Sequence, residues 1–128
     1  MSDHSSIYYL STKQPIGFIV ILTAARSEFW RIKSGSRYCH IVGGGRCVTD
    51  GVGIYGNYEY CEVEALQTLI MTAEQYDIED DYDFLTVKGV QYEQSGSGPN
   101  NVPMQAGDTW TWASDDGEQK DGFTICGR

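Results

Sequence analysis

Tyr60-Cys-Glu-Val-Glu-Ala65 alternates with period two: Cys61, Val63 and Ala65 fall on one face, and Tyr60, Glu62 and Glu64 on the other. This is the pattern of a strand with one face on a core and the other in water. The β character continues on both sides. Gln67 to Thr72 is β-branched and apolar, and Ser27 to Lys33 carries Phe29, Trp30 and Ile32 in a short β-prone run. Phe84-Leu-Thr-Val87, Val102-Pro-Met104, Thr109-Trp-Thr-Trp112 and Gly122-Phe-Thr-Ile-Cys126 follow, each set off by Gly, Asp or Asn. Short strands at this spacing predict an all-β fold, an antiparallel β-sandwich. Fifteen glycines and nine tyrosines fit strands and turns better than helices. Only Glu62 to Tyr76 could pass for a helix. Cys47 to Asn57 reads as turn-rich. Trp110 and Trp112 share one strand face; a sugar-stacking platform is one use for such a pair, but inward packing is how sandwiches are filled.

The 128 residues have room for one domain. The formal net charge is −9, unevenly spread. Arg26, Arg31, Lys33, Arg37 and Arg46 face a single acid, Glu28, whereas Cys47 to Arg128 carries 16 acids and three bases. A field of that sign repels phosphate backbones and anionic lipid, which argues against nucleic acid as a partner. Gly43-Gly-Gly45 lacks the Lys-Ser/Thr ending and the strand-loop-helix frame of a phosphate loop.

Ile16 to Ala25 is uncharged, too short to span a bilayer and the right length for the apolar core of a signal peptide. Lys13 precedes it, and Thr23-Ala-Ala25 offers small residues for cleavage. The chain therefore divides into residues 1–25, a signal peptide or a retained hydrophobic segment, and a domain at residues 28–128. The alternative for the first part is a buried strand over Phe18 to Leu22. All four cysteines (Cys39, Cys47, Cys61 and Cys126) lie in the domain and leave three pairings open. Their gaps suit neither zinc nor a redox motif, so two structural disulfides in a secreted, extracellular protein are expected.

The chemistry concentrates in two acidic stretches. Glu74, Asp77, Glu79, Asp80, Asp81 and Asp83 form one; Asp115, Asp116, Glu118 and Asp121 form the other. Carboxylates this close repel unless solvated, protonated or neutralised. Calcium is the natural counter-ion for clustered oxygens outside the cell, and a merely solvated acidic loop is the plainer reading. The spacing is not that of an EF-hand, because Tyr82 and Lys88 would stand where Gly and Glu are required. No pair of carboxylates is marked as acid and base, and His40 beside Cys39 points to the opposite strand face, so no enzyme is expected.

From about Phe29 to Arg128 the chain resembles a CUB domain, an extracellular β-sandwich module. Cys47-Val-Thr-Asp-Gly … Tyr55-Gly-Asn-Tyr-Glu-Tyr-Cys61 resembles that family's opening cysteine, tyrosine-rich turn and second cysteine. Tyr76-Asp-Ile-Glu79 … Tyr82-Asp83-Phe-Leu-Thr-Val87 resembles its aromatic-x-x-Glu and Tyr-Asp strand. Trp112-Ala-Ser-Asp115 … Gly122-Phe-Thr-Ile125 resembles its closing signature. The resemblance implies a jelly-roll sandwich with a calcium ion held by Glu79, Asp83 and Asp115, helped by Gly117 or Glu118, with Tyr55 or Tyr58 leaning on the site. The loop between Glu79 and Asp83 is shorter than in the family, so Asp80 or Asp81 could replace Glu79. The resemblance also implies the bridges Cys47–Cys61 and Cys39–Cys126.

Two functions are expected from this reading. The first is a secreted, calcium-supported recognition module that binds an exposed Lys or Arg of a protein partner, with carbohydrate a lesser candidate. The second is a structural subunit of a larger extracellular or membrane-attached assembly, without metal and with the N-terminal segment retained.

Overall fold

In the computed structural model, residues 28–128 are described in full; of the segment before them, only the backbone of two strands is described, β1 (Ser6–Ser11) and β2 (Ile19–Ala24), paired antiparallel. The proposed leader, residues 1–25, falls partly in β1 and β2 and otherwise outside the described residues.

The domain is an antiparallel β-sandwich. Its strands are β3 (Trp30–Ser34), β4 (His40–Val42), β5 (Cys47–Thr49), β6 (Tyr60–Ala65), β7 (Leu69–Asp77), β8 (Phe84–Val87), β9 (Val90–Tyr92), β10 (Val102–Met104), β11 (Thr109–Ala113) and β12 (Gly122–Gly127). One sheet runs β10-β7-β12-β5-β4 and the other β3-β6-β11-β8-β9. The alternation in β6 decides the second sheet. Cys61 and Val63 sit opposite Trp112 and Trp110 of β11, so all four point inward. The stretch that could pass for a helix is instead β6, a turn and β7. Its inward residues, Val63, Ala65, Leu69 and Met71, are all buried, and period two in burial overrides helical propensity. Cys47 to Thr49, expected as turn, is strand β5, because it fills the gap between β12 and β4.

Aromatic rings organise the core. Trp30 meets Trp110 edge-on, Trp110 meets Phe123, Phe123 meets Trp112 and Trp112 meets Tyr55, with centroids 5.0 to 6.0 Å apart. Edge-to-face contacts of this kind add to the stabilisation from burial alone. Trp110 and Trp112 are 1% and 0% exposed, so they are core side chains and no sugar platform.

The disulfides correct the expected pairing. Cys39 bonds Cys61, and Cys47 bonds Cys126; neither Cys47–Cys61 nor Cys39–Cys126 is present. The reason is register. Cys47 and Cys126 are direct cross-strand partners of β5 and β12, with Cα atoms 4.0 Å apart. A turn at Gly35, whose carbonyl accepts from the amides of Tyr38 and Cys39, delivers Cys39 to the other sheet. Gly35 adopts φ 77° there, and a side chain on it would strike the Tyr60 carbonyl and the Cys61 backbone. Cys39–Cys61 therefore ties one sheet to the other inside the core, while Cys47–Cys126 clamps two neighbours of one sheet. Two such bridges place folding in an oxidising environment. Among the described residues, no helix is long and apolar enough to cross a membrane.

Candidate functional site

The two acidic stretches meet at one end of the sandwich. The β7–β8 loop (residues 78–83) carries Glu79 and Asp83, and the β11–β12 loop (residues 114–121) carries Asp115. One carboxylate oxygen from each of the three lies within 4.8 Å of the others. Two strand ends hold them. β8 and β11 pair antiparallel with Phe84 opposite Ala113, which brings the residues just outside each strand, Asp83 and Ser114–Asp115, to the same edge.

Asp83 is fully buried and anchors the group. Its Oδ2 accepts from the Tyr55 hydroxyl at 2.5 Å and its Oδ1 from the Asp115 amide at 2.9 Å. The Tyr55 oxygen in turn accepts from the Glu79 amide at 3.0 Å. Tyr55 thus fixes two of the three acids while its ring packs on Trp112. Burial pushes its phenol up, so it remains a donor throughout the neutral range.

Glu79 Oε2 accepts from the Glu118 amide at 3.1 Å, whereas its Oε1 is buried without a partner. Gly117 donates its amide to Asp115 Oδ1 at 2.8 Å. A Cβ at Gly117 would stand 2.9 Å from both Glu79 oxygens and 3.1 Å from Asp115, so a side chain here would push these carboxylates from their present positions. The Glu118 side chain turns away to Lys120, 3.3 Å from it. Gly117 and Glu118 therefore enter the cluster through backbone amides. Tyr58 donates its amide to the Asp115 carbonyl at 3.1 Å, and its exposed ring stands outside the cluster. Asp80 and Asp81 do not replace Glu79: they accept from Ser95 and from Gln94, on the other side of the loop.

The electrostatics are uncompensated. Burial holds the Asp83 carboxyl above the usual carboxylate range, against hydrogen bonds from Tyr55 and the Asp115 amide, and the Asp115 charge adds to the rise. Loss of water, then the Asp115 and Asp83 charges, raise Glu79 as well, against the Glu118 amide. Among the described residues, no lysine or arginine forms an ion pair with any of the three.

The donor set fits a hard divalent cation. Calcium takes oxygen ligands at about 2.3–2.6 Å, so ligands on opposite sides of one ion are about 5 Å apart. Oxygens gathered within 4.8 Å can all face a single ion. The unpartnered Glu79 Oε1 is the atom such an ion would satisfy.

Two buried acids at the same end escaped the sequence reading. Glu59 accepts from Trp112 Nε1 at 3.2 Å and from the Gly56 amide at 2.7 Å. Extending the alternation of Cys61, Val63 and Ala65 by one step places Glu59 on the inward face, and that signal could have found it. Asp50 is 8% exposed, accepts from the Phe123 amide at 2.8 Å and leaves Oδ2 unpartnered. Burial lifts its pKa to about 7. Gly122, at φ 95°, leaves the room its carboxylate occupies. Nothing local in the sequence marks Asp50, because its burial depends on the distant β12.

Comparison with protein-family models, with curated proteins and with solved structures finds no match for this chain.

Proposed function

We propose that the domain is an extracellular recognition module of CUB type, in which Glu79, Asp83 and Asp115 hold a calcium ion and, beside it, a basic group of a protein partner. One observation carries this reading. Three carboxylates converge, two of them (Glu79 and Asp83) with raised proton affinity; one oxygen is buried and unpartnered, and among the described residues no basic side chain is paired with them. A bound divalent cation removes their mutual repulsion, and the negative charge left over attracts an ammonium or guanidinium. The rim suits protein contact. Val52 and Ile54 on the β5–β6 loop (residues 50–59) and Tyr58 are well exposed, and the Tyr55 amide bonds the Lys120 carbonyl to hold that loop against the site.

Thermal melts with calcium and with chelator test the metal. A ligand at 100 times its Kd stabilises the native state by about 2.7 kcal/mol, which is a rise of about 10 °C or more for a domain of this size. Asp83→Ala should lose that rise. If wild type and Asp83→Ala melt alike in saturating calcium, the site does not bind it.

The second reading, a structural subunit that keeps its N-terminal segment, draws on one observation: Ile19–Ala24 pairs as a strand with Ser6–Ser11. Intact mass of the protein made by its own cells separates the two, because a cleaved leader removes that hairpin.

A further inference from the structure

We propose that Tyr82 is a site of tyrosine O-sulfation, read by a transferase through the acidic turn that presents it. Tyr82 lies in Glu79-Asp80-Asp81-Tyr82-Asp83, with acids at the three preceding positions and the next one. The structure adds what sequence cannot. Residues 80–82 form a turn after β7, the Tyr82 side chain is 61% exposed, and among the described residues its hydroxyl has no hydrogen-bond partner. Asp80 and Asp81 precede it as exposed residues, each with one carboxylate oxygen accepting from Ser95 or Gln94.

The other described tyrosines lack this combination. Tyr55 and Tyr76 are buried and hydrogen-bonded. Tyr60 is exposed but fixed in β6 between β3 and β11. Tyr58 is exposed but has one acid, Glu59, beside it, where Tyr82 has acids on both sides. Tyr38 and Tyr92 are half-buried.

The chemistry follows from charge. A sulfuryl donor of the nucleoside phosphosulfate class is a polyanion, so its transferase needs a cationic site, and acidic flanks steer a substrate into such a site. The phenolic oxygen attacks the donor sulfur and a new O–S bond forms. The bond from sulfur to the bridging phosphate oxygen breaks, and the nucleoside phosphate leaves with that electron pair. The phenolic proton passes to a base of the transferase, and no oxidation state changes. The product carries a fixed negative charge in a cleft that Tyr82 shares with Glu79, Glu118 and Lys120. The proposal rests on passage through the export pathway and not on bound calcium, so a negative calcium melt leaves it standing.

The test uses the intact, disulfide-bonded chain with a tyrosylprotein sulfotransferase and the nucleoside phosphosulfate. Accurate-mass peptide mapping should find one sulfuryl group, on Tyr82, and Tyr82→Phe should accept none. Asp80→Asn with Asp81→Asn should slow transfer by at least about tenfold while melting like wild type. Transfer to Tyr58 or Tyr60 instead, no transfer to the intact chain, or a rate indifferent to the two Asn changes overturns the proposal. So does protein from its own cells that carries a phosphatase-sensitive phosphate on Tyr82, or an unmodified Tyr82.

Discussion

The aromatic core is fully buried and the acidic end is partly buried around Asp83, and they solve burial in opposite ways. In the core, Trp30, Trp110, Phe123 and Trp112 bring almost no charge inside, and each ring gains from the next. At the acidic end, Glu79, Asp83 and Asp115 crowd like charges, and loss of water, together with those charges, raises the proton affinity of Glu79 and Asp83. The core brings rings together and leaves one polar atom, Trp110 Nε1, unpartnered, whereas the site gathers three carboxylates that no basic side chain among the described residues neutralises. Tyr55 belongs to both, with its ring on Trp112 and its hydroxyl on Asp83. The comparison teaches that core packing supplies the energy that holds an otherwise repulsive cluster in shape.

Breaking the core should have the largest effect. Trp112→Ala removes a fully buried ring, a loss of about 3–5 kcal/mol. It also takes away a donor from buried Glu59, which adds about 1–3 kcal/mol. Urea unfolding should show the midpoint collapse or the domain fail to fold.

Proton affinity gives the next effect. Asp50 rises from 3.8 to about 7 in the fold, chiefly by burial, with Glu59 and Asp121 adding to it. A raised carboxyl favours the folded state when protonated. Its contribution is complete below pH 3.8 and is lost as pH rises through about 7. The size of the shift sets a ceiling of about 4 kcal/mol. Glu79 and Asp83 act in the same direction, and calcium should cancel their share but not that of Asp50. Chelated wild type should therefore be more stable at pH 5.5 than at pH 8. Asp50→Asn should flatten the part of this slope that survives in calcium, as read by melts across pH. Asp108, whose carboxyl is lowered first by the Gln105 amide and then by Lys88, opposes the trend only below about pH 4.

The strands were largely legible because burial writes period two into the sequence, as Tyr60 to Ala65 and Thr109 to Trp112 show. The acids of the site were legible as two clusters. The resemblance named Glu79 and left Asp80 or Asp81 as substitutes; the contacts that exclude those two, with Ser95 and Gln94, lie across the loop and were not legible. The disulfide pairing was not legible either. It follows from β5 lying beside β12, across 79 residues of chain, and cysteine spacing carries no information about that neighbour.

The smallest change probes the shared residue. Tyr55→Phe keeps the ring on Trp112 and deletes one oxygen. Asp83 Oδ2 then loses its donor, and the Glu79 amide loses its acceptor. A hydrogen bond to a charged group contributes about 1.5–3 kcal/mol. A melt in chelator should therefore fall by about 2 kcal/mol, well short of the Trp112→Ala loss. Calcium titration should also show affinity reduced by about tenfold, because the carboxylates are no longer fixed toward a common point. A variant that loses stability but binds calcium as wild type does would make Tyr55 a core residue only, and would separate the two regions that it joins here.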